Sequence, residues 1–289
     1  MLPVRDGLGP ARLRLHGGNV AEEFGRRFGP DGRAKVLAGE VVDARGNAVD
    51  GSTVQPAGAV VYLYRELPQE VPVPFDVPVL YRDENILVVD KPHFLATMPR
   101  GRHVAQTALV RLRREFDLPE LSPAHRLDRL TAGVLLLTVR REVRGAYQTM
   151  FARGEVSKTY LARSSAQPGL AAPVVVSNRI VKHRGVLQAT VEPGEPNAET
   201  MVEPLGGGFY RLTPRTGRTH QLRVHMASLG LPLDNDPLYP DVLETDPADF
   251  SGPLQLIAHG LEFCDPISRR SRRWESRHLL HPMPLCPGP

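Results

Sequence analysis

The run Val134-Leu135-Leu136-Leu137 offers water no polar side, so it predicts a strand covered on both faces. Upstream, residues 85–92 read as another strand, apolar through Ile86-Leu87-Val88-Val89 and ended by Pro92, which lacks a donor. Between the two, residues 103–116 carry Ala105, Leu109, Leu112 and Phe116 at helical spacing. This predicts an amphipathic helix with Arg111, Arg113 and Arg114 on its solvated face. Residues 143–152 predict a further helix, residues 158–162, 186–191, 201–205 and 209–213 predict extended segments, and residues 254–263 a final strand. Pro214-Arg215-Thr216-Gly217 reads as a turn, after which Thr219 is expected to cap a helix over 220–229 that Gly230 terminates. Leu222, Met226 and Leu229 share one face of that helix, and Arg223 falls on the boundary between its buried and open sides.

Proline punctuation divides the chain. Pro68, Pro72, Pro74 and Pro78 stop both helix and central strand, which predicts a linker over residues 68–79. Before it, residues 1–67 read as a small α/β module with a helix over 20–28, strands over 39–42 and 60–64, and a turn at Arg45-Gly46-Asn47. After it, residues 80–289 mix helices with predominating strands, so the class is α+β.

Composition narrows the setting. The chain has 289 residues, 41% of them apolar and 24% charged, as expected of a soluble globular protein. Cys264 and Cys286 are too few for a disulfide framework and lack the close pairing of a zinc site, which fits a reducing cytoplasm. No apolar run approaches the ~18 residues of a membrane span, and residues 1–10 lack the charged-then-apolar order of a secretion signal. The formal charge is +4, with Arg far outnumbering Lys. Guanidinium groups pair with phosphate through two parallel bonds and stack on bases, so this balance leans towards nucleic acid, although high-GC coding enriches Arg as well.

Asp128 is the leading candidate for chemistry. It lies in His125-Arg126-Leu127-Asp128, in the loop that feeds the apolar strand, at the rim of a core where a carboxylate loses part of its water. Arg126, Arg129 or an arginine further downstream would supply the cation it then needs. Read locally, Asp128 equally serves as a turn cap or as a partner of Arg126, and Tyr160 serves as a core residue. His220 and His225, five apart, do not share a helix face as metal ligands would, so no metal is expected.

Four segments in order change the weighing: Asp83-Glu84-Asn85-Ile86-Leu87-Val88-Val89-Asp90-Lys91-Pro92, His125-Arg126-Leu127-Asp128 with Thr131-Ala132-Gly133, Lys158-Thr159-Tyr160, and Thr216-Gly217-Arg218-Thr219-His220-Gln221-Leu222-Arg223-Val224-His225. Together they resemble the motifs of the RluA family of pseudouridine synthases, over residues 80 to about 266. Two departures stand out: Ala132 where the family usually has Ser, and Asn235-Asp236-Pro237-Leu238-Tyr239-Pro240 where Gly-Asp commonly leads to Tyr-Gly.

The resemblance implies a mainly antiparallel sheet core with flanking helices, and a cofactor-free isomerase that detaches uracil from its sugar, turns it and rejoins it through carbon in ribosomal or transfer RNA. Asp128 would attack the nucleotide or take a proton from its sugar, and Arg223 is the matching position for its ion pair. Tyr160 corresponds to the family's active-site tyrosine, against the base. The target must be flipped from its stack, with Arg126 expected to fill the gap and His125 to pack or orient. Arg129 and Arg218 are expected at the RNA, and Lys91 and Lys158 at phosphates, solvated lysines being the plainer alternative. Phe24-Gly25-Arg26-Arg27-Phe28 and Gly39-Glu40-Val41-Val42-Asp43 resemble the small RNA-binding module of the alpha-L type. A monomer is expected. A non-catalytic RNA-binding or ribosome-assembly protein on the same scaffold is the alternative, and an Asp/His hydrolase or nuclease a third reading.

Overall fold

The computed structural model describes residues 2–64, 69–101 and 103–280. Pro68 of the expected linker, its boundary at residues 67 and 68, and Cys286 lie outside these. The chain divides into two compact units, residues 1–70 with 110–119, and residues 71–109 with 120–289.

In the first unit, β1 (Ala11–Arg14), β2 (Gly18–Asn19), α1 (Val20–Leu37), β3 (Val41–Val42), β4 (Val54–Gln55) and β5 (Val60–Leu63) follow in order. Asn19 caps α1 by accepting from the Glu22 amide at 2.9 Å. The helix runs further than the expected 20–28 because a second turn-set begins after Gly29, whose φ of 74° breaks the path before Pro30 restarts it. Leu15, Val20, Phe24, Val36, Val41 and Val61 close a small core under the sheet β1-β5-β3.

The second unit is built on β6 (Val79–Arg82) and β7 (Ile86–Lys91), then, past helix α2 (Ala108–Phe116), on β8 (Ser122–Pro123) and β9 (Ala132–Thr138). There follow α3 (Arg144–Ala152), β10 (Val156–Arg163), β11 (Val174–Val181), β12 (Thr190–Glu192), β13 (Ala198–Gly206), β14 (Phe209–Pro214), α4 (Gln221–Ser228), β15 (Leu256–Cys264) and β16 (Ser271–Glu275). One sheet runs β12-β11-β13-β14-β10-β15-β9-β7-β6, with β16 beside β15 and β8 beside β9. All its pairs are antiparallel except β9 with β15. This is the mixed, mainly antiparallel core with flanking helices. β7 and β9 are buried along their whole length, as their apolar runs require. Tyr147 and Met150 of α3 pack on Ile86, Val134, Leu136 and Phe263.

Four local expectations fail. Helix α2 begins at Ala108, not at residue 103, because Thr107 is buried in a bridge to Ala96 and Arg100 pairs with His103. Its arginines are not simply solvated: Arg113 donates to the Gly7 carbonyl at 3.2 Å, and Arg114 pairs with Asp6 at 2.5 Å. Residues 186–189 form no strand, and only Thr190–Glu192 pairs. The hairpin β15–β16 closes the chain beyond the strand expected to be last.

The parallel pair depends on one glycine. Gly133 sits opposite Ala258 at φ 118°, and a Cβ there would stand 2.2 Å from the Ala258 carbonyl oxygen. Both the backbone angle and the clash exclude a side chain. Gly133→Ala should therefore lower the unfolding free energy by about 2 kcal/mol or more. Chemical denaturation checks this, and an unchanged midpoint and slope would refute it.

Candidate active site

Asp128 is held by its neighbours in sequence. On one side, the Thr97 hydroxyl donates to the Leu127 carbonyl at 2.8 Å and accepts from the Leu127 amide at 3.1 Å. On the other, the ammonium of Lys91 donates to the carbonyls of Leu95 at 2.7 Å, Pro92 at 3.0 Å and Arg129 at 3.4 Å. The loop turns back at Asp128, whose carbonyl accepts from Thr131. Lys91 is fully buried, which corrects its expected place at an RNA phosphate: its donors face backbone carbonyls inside the protein. Burial pushes its ammonium down to about 7, with Asp128 opposing the shift and Arg129 adding to it.

His125 accepts from the Leu136 amide at 3.1 Å through Nε2, and its ring stacks on Phe151 at 4.5 Å. Burial and Lys158 hold it down to about 3, so it is neutral and acts as packing. This is the role expected of it.

Arg223 projects from α4, a short helix buried on every side over 221–226. Thr219 does not cap it. The cap position is His220, in the left-handed region at φ 58°, and the preceding turn is gathered instead by the Gln221 side chain. Its amide oxygen accepts from Thr216 Oγ1 at 2.7 Å and from the Arg218 amide at 2.9 Å. Its amide nitrogen donates to the Glu199 carbonyl and to Thr200 Oγ1.

The guanidinium of Arg223 meets two acids. Nε and Nη2 donate to both oxygens of Asp236 at 2.8 and 2.5 Å, while Nη1 stands 3.9 Å from Asp128 Oδ2. Asp236 is the tighter partner, with a side chain that is 0% exposed against 35% for Asp128. Burial pulls Arg223 down, but Asp236 and Asp128 outweigh it and hold the group up. Sequence reasoning quoted Asp236 without giving it a role; its signal was the short spacing to Leu238 and Tyr239, whose amides Asp236 also accepts. The departure beside it is explained by conformation. Asn235 sits at φ 60°, where Gly is free of cost and Asn is the next most tolerant residue. Ala132 is buried in β9.

Tyr160 comes from β10, where the pairing with β15 slips between Thr159 and Tyr160. Such a bulge re-aims a side chain. Tyr160 faces Ala258 on one side and Leu212 on the other, so Gly133, Ala258 and Tyr160 lie abreast on adjacent strands. Burial and the nearby Asp128 push its phenol up.

These groups share a cleft of about 1000 Å³. Asp128, Tyr160 and Arg223 line it, as do Arg126, Arg129, Lys158 and Arg218. Arg126 and Arg218 are exposed, and Arg218 donates to the Asn197 carbonyl at 3.0 Å. Lys158 is half-buried, which pulls its ammonium down. The floor therefore carries one open carboxylate beside a fixed cation, and the rim carries cations. Such a site can bind a polyanion and present an oxygen nucleophile or base to it.

Two measurements test this wiring. Arg223→Ala strands the buried Asp236 carboxylate, so it should cost about 3–5 kcal/mol of stability, while Asp128→Asn costs far less. Adding Asp236→Ala to Arg223→Ala should recover part of that loss; equal melting temperatures for Arg223→Ala and Asp128→Asn would contradict the geometry. For Lys91, the unfolded chain binds the extra proton between about 7 and the ordinary value of 10.5. Stability from this group is thus lowest below pH 7 and grows as pH rises through that window. Wild type should gain on Lys91→Met between roughly pH 7 and pH 9 in denaturation, and parallel curves would show that the lysine is not buried as described.

Known proteins share this arrangement of motifs and fold. The family model described as RNA pseudouridylate synthase matches residues 85–228. The dual-specificity RNA pseudouridine synthase RluA of Salmonella typhi is 35% identical over 197 residues, which cover 65% of this chain and 87% of that protein. Human pseudouridylate synthase RPUSD2 is 34% identical over 170 residues, covering 57% of this chain but only 31% of that longer protein. Among solved structures, the human RNA pseudouridylate synthase domain containing 1 superposes with a TM-score of 0.56 at 26% identity, over 70% of this chain and 84% of that one. With three of the four motifs brought to one cleft on the shared sheet, the chain belongs to the RluA family of pseudouridine synthases, RNA-modifying isomerases.

Proposed function

We propose that this protein, acting as a cytoplasmic monomer without metal or coenzyme, isomerises specific uridines in ribosomal or transfer RNA with Asp128 as the reacting carboxylate. The observation that carries the reading is the convergence of Asp128, Arg223 and Tyr160 on one cation-rimmed cleft.

The chemistry is a rearrangement within one nucleotide. The bond from N1 of uracil to C1′ breaks, the base turns, C5 bonds to C1′, the proton on C5 leaves, and N1 gains one. Nothing is oxidised or reduced. Asp128 serves by bonding to the sugar or by taking a proton from it, and both roles consume its negative charge. Arg223, pinned by Asp236, holds a positive charge 3.9 Å from the Asp128 oxygen and keeps the anion in place before that step.

Tyr160 fits a late role. Its phenol is held up first by burial and second by the Asp128 charge, so it stays protonated at the start. Once Asp128 is neutralised, that second cause disappears and the phenol releases its proton more readily, so it can give that proton to N1 and take back the one on C5. Its ring meanwhile lies against the base and excludes water. Arg126, exposed two residues before Asp128, fills the gap left by the flipped nucleotide, and Arg129, Lys158 and Arg218 meet the backbone phosphates.

The direct test is to incubate the protein with cellular RNA from a strain lacking it and to map pseudouridine by chemical marking and sequencing. New marks at defined uridines are expected. RNA bound but unmarked would leave a binding protein, and broken RNA would point to a nuclease. Asp128→Asn should lower turnover roughly a thousandfold or more while preserving fold and RNA affinity, since it removes charge at nearly constant volume; appreciable remaining activity would unseat Asp128.

A further inference from the structure

The loop joining β11 to β12 carries an exposed apolar tip into the cleft that the reaction itself does not use. Val186 and Leu187 are 47% and 62% exposed, and both line the cleft together with Lys182 of the same loop. Leaving two large aliphatic side chains in water is unfavourable, yet the loop is held in shape around them. Lys182 Nζ donates to the carbonyls of Val186 and His183. At the far end, Gln188 Nε2 donates to the carbonyls of Leu238 and Pro240.

The root of the loop is fastened to the catalytic anchor. The Tyr239 hydroxyl accepts from the Ala189 amide at 2.6 Å and lies 3.0 Å from His220 Nδ1, and the Tyr239 amide is one of those accepted by Asp236. Ala189 and Tyr239 also pack with Val224, next to Arg223 in α4. A fixed series of contacts therefore runs from Arg223 through Asp236 and Tyr239 to the loop. The tip has a set position relative to Asp128.

We propose that Val186 and Leu187 form a wedge that packs on the face of a nucleobase neighbouring the flipped uridine, so that the enzyme selects uridines whose neighbour is unstacked, as in an RNA loop. The occupant is a base because the apolar tip projects into a cleft that several cations line. Lys182 flanks it on the loop, and Lys158, Arg215 and Arg218 line the same cleft. Bases in a nucleic acid offer apolar faces within a negatively charged chain, and aliphatic side chains wedge between them elsewhere in nucleic-acid recognition.

The inference rests on the proposed isomerase activity, and one experiment separates the two. Take a synthetic stem-loop containing a uridine marked in the mapping assay, and prepare it intact and with the nucleotides flanking that uridine made abasic in turn. Compare kcat/KM for wild type and for the Val186→Ser/Leu187→Ser variant on each. Removing the contacted base should cost wild type about tenfold and the variant almost nothing, with the penalty chiefly in KM. The variant itself should lose about tenfold on the intact RNA and keep the melting temperature of wild type, as its changes are exposed. Equal kcat/KM of variant and wild type on intact RNA would overturn the wedge, as would a variant that is as sensitive to base removal as wild type. If the mapping assay finds no marked uridine, the isomerase reading fails, and the wedge with it.

Discussion

A buried guanidinium shared by two carboxylates sets the geometry of the cleft. Arg223 is almost wholly removed from water, and a charge in that position is stable only when its donors are used. Asp236 takes two of them in a parallel fork, which fixes the plane of the group as well as its charge. The remaining nitrogen then faces Asp128 without gripping it. A carboxylate locked in a bidentate pair would be a poor nucleophile or base. Because the second acid satisfies the cation, the first stands beside it without being locked in a fork.

The other constraint is lateral. Gly133 brings β9 and β15 together more closely than any side chain allows, and Ala258, its opposite number, also faces Tyr160 on β10. The distance across these strands is thus fixed by backbone contact. Asp128 enters at the start of β9, and Tyr160 is turned by the bulge in β10. A sheet set by backbone contact keeps an acid and a phenol from separate segments in register better than two loops would.

The fold and the candidate site were legible in the sequence to different depths. Strands β7 and β9 were plain because continuous apolar runs have only one use in a sheet, and Asp128, Tyr160 and Arg223, which line one cleft, were singled out because their motifs stand in order. Lys91 misled. A lysine beside an apolar strand reads as a snorkelling cation, and nothing local reveals that backbone carbonyls wait for it inside. Thr97 and Gln221 left no signal, since their work is to bind main-chain atoms distant in sequence. Thr219 looked like a cap by residue type, but the cap position fell to His220 in the left-handed region, and Gln221 gathers the turn before it. Asp236 lay between these cases: its spacing to two amides marked a turn, and only the fold could bring Arg223 to it.

Around Asp128 the buried ionisable groups are arranged to be electrically quiet. His125 is neutral well below physiological pH, and Tyr160 stays protonated well above it. Lys91, pushed to about 7, carries less than a full charge near neutrality. The field at Asp128 is then governed by the fixed Arg223–Asp236 pair, while the exposed rim cations Arg126 and Arg218 are screened by water and salt. The charge beside Asp128 is thereby insulated from salt, which acts on the exposed cations.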